Sequence, residues 1–404
     1  MKFGKRYNPG KKDILAKHKM TSLPNTKFPN NPDVLIIGGG LAGLVSAIHL
    51  SRLGLQVVLI EKNGYPKHKV CGEYISNEVL PYLRFLEADP MILGAKLINR
   101  FVMTSLKGKK IESKLSMGGF GISRYTLDHF LFQKAKENGC NIIKATVDKV
   151  SFLKDQFEVK TRDGQVFSAK IVIGAFGKRS NIDLNLDRPF IKSKSPFLAV
   201  KGHFKGDFPD DLVELHNFKG GYCGVSKVEN DHLNICYLAD YQSFQKFNNI
   251  DDFQNEVLFK NPHLRNIFEN TEPVFQKPLT ISQVSFLPKK PVENHILMSG
   301  DAAGMIHPLC GNGMAMAIHS AKILSELIEK YFNGQIQTRE KLELEYTGQW
   351  NAQFQKRLMA GRIFQTVFRM DKLSELMMAG LTMFPKLLPL FIRQTHGKPI
   401  VVQQ

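Results

Sequence analysis

The stretch "DVLIIGGGLAGLVSAIHLSRLGLQVVLIEKN", Asp33 to Asn63, decides the fold. An unbroken apolar run, Val34–Ile37, reads as a strand buried on both faces. Gly38, Gly40 and Gly43 then stand in the spacing that permits a tight turn, lets a pyrophosphate approach the start of a helix, and lets that helix pack close to the strand. Gly54 ends the helix, and Val57–Ile60 forms a second buried strand. Glu61 follows where a carboxylate can accept both ribose hydroxyls of an adenosine. Strand, turn, helix, strand and acid in register make a dinucleotide-binding unit. Its candidate contacts are Gly38, Gly40, Leu41, Ala42, Gly43, Glu61 and Lys62. NAD and FAD both satisfy this pattern.

The surrounding chain has 404 residues, 43% hydrophobic and 23% charged, enough for more than one domain with a large core. Its net charge is +18. Residues 1–30 carry eight Lys/Arg against one acid, Asp13, with no apolar periodicity, and read as a basic disordered tail and not as a secretory signal. The five cysteines are odd in number and show no CxxC or zinc spacing. No disulfide framework or metal site is expected, and a reducing cytoplasm fits. The apolar run from Leu376 to Phe391 is interrupted by Pro385, Lys386 and Pro389 and falls short of the ~20 residues that span a bilayer.

Further along, "KATVDKVSFLKDQFEVKTRDGQVFSAKIVIGAFGKRS" supplies a strand near Val147, a hairpin turning at Asp163-Gly164, and the apolar strand Ile171–Ile173. "GAFGKRS" is not a phosphate loop, because Val172 and Arg179 stand where GxxxxGK[ST] needs Gly and Ser or Thr. The segment "SGDAAGMIHPLCGNGMAMA", Ser299 to Ala317, sets one acid among small residues and then opens a helix. Small residues let another surface approach backbone, and the helix N-terminus offers free N–H groups to an anionic one.

With these three motifs in order, the sequence resembles the FAD-dependent oxidoreductases of the para-hydroxybenzoate hydroxylase class, and within it the geranylgeranyl reductase-like branch. The resemblance covers roughly residues 33–330. It implies a Rossmann-like α/β FAD-binding domain of the GR2 type, with an inserted antiparallel β-sheet for substrate and a C-terminal helical segment. It implies that Asp301 bonds the ribityl or pyrophosphate part of FAD, and that the helix opening at Gly311, Asn312, Gly313 and Met314 faces the flavin pyrimidine ring. Ala302, Ala303 and Gly304 are then expected to be small to make room for cofactor. "KVCGEYIS" resembles a loop that passes near the flavin, making Cys71, Gly72 and Glu73 candidate contacts. Cys71 is also a candidate catalytic thiol, or else a small buried apolar residue. "GISRYTLDHFL" resembles a segment whose arginine approaches FAD, making Arg124 a ligand or the partner of a helix acid. Val147 and Gly177 complete the implied cofactor contacts. Two departures matter. Phe176-Gly177 stands where many hydroxylases have Asp-Gly, which puts NAD(P)H in question and leaves the electron donor open to NAD(P)H or a separate reduced carrier. The chain also lacks the WxWxIP motif of halogenases, having only Trp350, which argues against halogenation.

Residues 196–240 change to period-2 strands, with hairpin turns at Lys219-Gly220-Gly221 and Asn230-Asp231. The expected organisation is a tail (1–30), a discontinuous FAD domain (31–190 and 285–335), a substrate sheet (95–120 and 191–284) and a helical region (336–404). In the resembled class a GYxW-type segment faces the flavin. Here "GGYCGVS" keeps Tyr222, the best candidate catalytic residue, without the second aromatic. His203 and His216 read as exposed or satisfied histidines. The C-terminal run reads as a cap over a pocket or as an interfacial membrane helix. The expected function is hydroxylation of a hydrophobic aromatic or polyketide-like substrate. The alternatives are reduction of lipid C=C bonds and a flavin-free binding protein on the same fold. A hydrophobic small molecule and a membrane surface are the expected partners. No nucleic acid is expected, and the location is cytoplasmic or at the inner membrane surface.

Overall fold

A computed structural model describes residues 31–193, 195–282 and 284–402. The basic N-terminal segment lies outside the described residues. Val34–Ile37 sits inside a six-stranded sheet, paired in parallel with Ile171–Gly174 on one side and Val57–Glu61 on the other. Both neighbours being strands, with helix Leu41–Arg52 and the meander strands sharing its core cluster, every residue of this strand is buried, which is why it shows no alternation. Asn141–Lys144 extends the sheet in parallel beyond Val57–Glu61, and Ile296–Met298 beyond Ile171–Gly174. The antiparallel strand Val292–Glu293 closes that second edge. Helix Leu41–Arg52 starts after Gly40 and ends before Gly54 at φ +80°. It packs against helices Arg124–Glu137 and Gly313–Phe332. The expected hairpin at Asp163-Gly164 is one turn of a three-stranded meander formed by Val147–Leu153, Gln156–Thr161 and Val166–Ala169.

A nine-stranded sheet forms the second layer. Its central hairpins turn at Lys219-Gly220, with Gly220 at φ +78°, and at Asn230-Asp231, with both residues in the left-handed region. Two features depart from a simple antiparallel insert. Tyr74–Ser76, from the "KVCGEYIS" loop, joins the sheet edge against Gly119–Gly121. Leu212–Phe218 runs parallel to Lys96–Thr104. The two strands of that junction come from separate excursions of the chain, so no hairpin dictates their relative direction.

The chain ends in helices Arg339–Arg369, Asp371–Met383 and Leu388–Thr395. Leu342, Tyr346, Trp350 and Phe354 repeat every four residues along the first and are all buried against the FAD-domain core. The Tyr346 hydroxyl donates to Met298 O at 2.5 Å, tying this helix to the end of a sheet strand. The last two helices join a separate apolar cluster with the nine-stranded sheet, around Met378, Leu381, Leu388, Phe197 and Phe286.

Candidate cofactor and substrate site

One cavity of about 880 Å³ runs from the first glycine turn, under the nine-stranded sheet, to the C-terminal helices. The three glycines of the turn do different work. Gly38 has φ +105°, and a Cβ there would sit 2.4 Å from Ala175 O. A Cβ at Gly43 would lie 2.0 Å from Gly38 O, so that glycine serves helix–turn packing and does not line the cavity. At Gly40 the nearest atoms to such a Cβ are Arg124 Nη2 at 3.8 Å and Lys69 Nζ at 4.0 Å. The backbone of Gly40 therefore faces open, cationic space, as approach of a pyrophosphate requires. Leu41, Ala42 and Lys62 line the same end. Glu61 accepts Gly39 N–H at 2.7 Å and both the backbone and side-chain N–H of Asn63 at 2.9 and 2.8 Å, which orients its carboxylate at the cavity wall.

Arg124 and Asp301 meet in this cavity although 177 positions separate them in sequence. Ser123 caps the helix Arg124–Glu137 by accepting Thr126 N–H, which places Arg124 in its first turn. Its guanidinium makes two bonds to Asp128, of 2.7 and 2.9 Å, and Lys69 reaches the same carboxylate at 2.8 Å. Arg124 is thus both the partner of a helix acid and a cavity-lining cation. Removal from water pushes the Asp301 carboxyl up, against the opposing pull of Lys289, Arg124, Lys178 and Lys69. Burial in turn lowers Lys178 and Lys289 to about 8, with Asp301 pulling the other way. An acid that can accept hydroxyl hydrogens thus stands beside cations that can hold phosphates.

At the far end, Gly311 at φ +62° turns the chain into helix Gly313–Phe332. Asn312 does not cap that helix. Its Nδ2 donates to Thr395 O at 2.6 Å, while its buried Oδ1 has no partner among the described residues. The first N–H groups of the helix therefore stay available where Gly311, Asn312, Gly313 and Met314 line the cavity, a position that stabilises negative charge by about 0.3–2 kcal/mol. Cys71, Gly72 and Gly177 also line the cavity, and Cys71 Sγ lies 3.5 Å from Met314 Sδ at this end. Burial pushes the Cys71 thiol up, so it stays protonated and is a poor nucleophile. Tyr222 projects from the sheet into the cavity with its hydroxyl buried. Leu309 N–H faces that oxygen without closing a hydrogen bond, and the O–H finds no acceptor among the described residues. Around it the wall is apolar, with Met305, Leu309, Met377, Leu381 and Ile392.

Two sequence expectations are corrected. Val147 does not reach the cavity; it starts a meander strand and its side chain is buried in the core. Ala302 and Ala303 are fully buried in protein, and a Cβ on Gly304 would strike the Trp350 ring at 2.7 Å. Gly304 is small because the helix Arg339–Arg369 packs on it, and Ala302 and Ala303 sit in the core; none of the three lines the cavity. His203 and His216 are both buried and satisfied, by Glu73 at 2.7 Å and by Thr104 and Glu214 at 3.0 Å each. Sequence reasoning missed Lys201, whose fully buried ammonium pairs with Glu73 beside the cavity. Burial opposes ionisation of Glu73, but Lys201 and His203 outweigh it and hold the carboxyl below its ordinary value. The signal was Lys201 and His203 two residues apart, on one face of a strand whose first half is apolar.

The model of the FAD binding domain family matches residues 31–352. Conditioned medium factor receptor 1 of Dictyostelium discoideum is 25% identical over 385 residues, covering 87% of this chain and 72% of that protein. A digeranylgeranylglycerophospholipid reductase of Methanococcus vannielii is 25% identical over 360 residues, covering 83% and 86%. The halogenase PltM, solved in complex with phloroglucinol and FAD, superposes with a TM-score of 0.71 at 16% identity, covering 90% of this chain and 82% of that one. At that identity the likeness is one of fold. The open backbone at Gly40, the cavity-wall Glu61, the Asp301–cation cluster and the uncapped helix at Gly313 line one cavity with the chemistry that an adenosine, a pyrophosphate and a flavin require. The chain belongs to the FAD binding domain family and is an FAD-dependent oxidoreductase.

Proposed function

We propose that this oxidoreductase is a monooxygenase that hydroxylates a hydrophobic substrate carrying an aromatic, hydroxyl-bearing head. Bound FAD supplies the oxygen chemistry: one atom of dioxygen enters the substrate and the other leaves as water, with two electrons from NAD(P)H or a separate reduced carrier. The observation that carries the reading is the Tyr222 hydroxyl, buried in an apolar chamber with a donor hydrogen and no acceptor among the described residues. Leaving such a group unpaired costs about 1–3 kcal/mol, which a substrate oxygen placed there recovers while fixing the ring. Gly224, two residues on, leaves width for a flat group, since a Cβ there would meet only Cys236 O at 3.8 Å.

A second reading, reduction of lipid C=C bonds, is favoured by the digeranylgeranylglycerophospholipid reductase relative and by the apolar wall. Reducing an isolated alkene needs a proton for carbon as well as a hydride. The chamber's thiols hold their protons tightly: burial raises Cys71, and raises Cys236 and Cys310 to about 12. Tyr222 is likewise pushed up by burial. These groups donate hydrogen bonds more readily than protons, which favours hydroxylation. Isotopically labelled dioxygen tests the choice. Label in the product supports hydroxylation, whereas anaerobic turnover with chemically reduced flavin, giving a product two hydrogens heavier, overturns it.

A further inference from the structure

The two C-terminal helical pieces, Lys372–Met383 and Pro385–Thr395, meet at an angle of 105°. Their inner faces complete the cavity through Met377, Leu381, Leu388 and Ile392. Their outer faces leave Leu376 69%, Met383 74%, Phe384 58%, Leu387 41% and Leu390 51% exposed. Phe391 belongs to both surfaces. It lines the cavity, is 36% exposed, and its ring lies 5.8 Å from that of Phe364, another cavity residue. The apolar chamber therefore reaches the exterior at Phe391, beside the exposed apolar face.

Charge says what that face meets. From 372 to 402 the chain carries Lys372, Lys386, Arg393 and Lys398 against one acid, Glu375, whose carboxylate accepts Leu106 N–H at 2.9 Å. The four cations are exposed. Apolar side chains interleaved with exposed cations suit the boundary of an anionic bilayer. The bend and the lengths speak against spanning, since twelve helical residues reach roughly 18 Å against a hydrocarbon core of roughly 30 Å. No single helix among the described residues is long and apolar enough to cross.

We propose that this bent pair lies in the surface of an anionic membrane, and that substrate passes from the lipid phase into the cavity past Phe391. The second half rests on the hydrophobic substrate proposed above; the first does not. The test uses the full-length, FAD-loaded protein and vesicles of phosphatidylcholine with or without phosphatidylglycerol. The wild type co-sediments with the anionic vesicles and less so as salt rises. The triple variant Met383→Glu, Leu387→Glu, Leu390→Glu changes exposed residues that do not line the cavity. It loses vesicle affinity by at least about tenfold, with flavin content and circular dichroism unchanged. Lys386→Glu with Arg393→Glu lowers affinity about fivefold or more per charge, on anionic vesicles only. No vesicle binding by the wild type, or equal binding by the triple variant, overturns the docking. So does a wild-type dimer that the triple variant dissolves without any vesicle binding, because a second copy then covers the face.

Passage is read separately, by the flavin absorbance change on adding 4-dodecylphenol in vesicles or in detergent micelles. The triple variant loses the response to vesicle-borne phenol and keeps the response to micellar phenol. If it keeps both, passage from the lipid phase is wrong. If the wild type responds to neither while still binding vesicles, the phenolic substrate fails together with passage, and docking stands.

Discussion

Replacing Glu61 with Gln separates the carboxylate's two tasks. In the structure its oxygens already accept three N–H groups, from Gly39 and twice from Asn63, out of roughly four lone-pair positions. Ribose hydroxyls must therefore share the carboxylate with the turn or displace the Asn63 amide. A glutamine offers one acceptor oxygen and turns an NH₂ toward one of the former donors. Hydrogen bonds to a charged group are worth about 1.5–3 kcal/mol and neutral ones about 0.5–1.5, so weakening one ribose bond and losing another costs FAD binding about 2 kcal/mol, or roughly thirtyfold in Kd. The partner left facing NH₂, Gly39 N–H or Asn63 N–H, costs the flavin-free protein about 1–3 kcal/mol, small beside its core. The assay is quenching of FAD fluorescence on titration with deflavinated protein, with thermal unfolding of the same samples as the control for fold. A Kd within twofold of wild type, in a variant that still unfolds in one cooperative transition, would refute the assignment of Glu61 to the ribose.

Asp301→Asn is expected to raise the melting temperature of the flavin-free protein at pH 7 while lowering its FAD content after purification. Burial raises the folded-state pKa of this acid, so its ionisation opposes folding increasingly as pH rises above the ordinary carboxylate value, and the amide removes that penalty. A lower melting temperature, or full flavin content, counts against this account. FAD affinity should weaken as pH rises through about 8, where burial places Lys178, because below it this cavity-lining ammonium is charged and attracts an anionic cofactor; a flat Kd from pH 7 to 9.5 would exclude its participation. Tyr222→Phe should leave flavin content unchanged and reduce kcat/KM by about tenfold to a hundredfold, the worth of one buried hydrogen bond to substrate, and full activity would remove the tyrosine from the site.

The dinucleotide unit was legible in the chain because each of its signals is local. Val34–Ile37, the Gly38/Gly40/Gly43 spacing and Glu61 lie within about one strand–helix–strand length, so sequence spacing maps directly onto space. The helix start at Gly313 and the helix beginning after Thr338 were readable for the same reason, since caps and glycine breaks act over a turn. Side-chain environments set by distant partners were not readable. Gly304 carries the same small-residue signature whether a cofactor or the Trp350 ring fills the space beside it, and only packing of a helix some forty residues later decides between these. Lys201 and Glu73 gave no pairing signal, because their approach depends on a sheet laid across a loop 128 positions away. The parallel junction of Leu212–Phe218 with Lys96–Thr104 was likewise beyond local pattern, since strand direction without a hairpin is a property of the assembled layers. Composition and spacing thus determined the first turn of the cofactor site, where one short segment, Gly38 to Glu61, lines one end of the cavity. Tertiary structure alone decided the substrate end, where a sheet residue, Tyr222, and a C-terminal residue, Phe391, 169 positions apart, share one cavity wall.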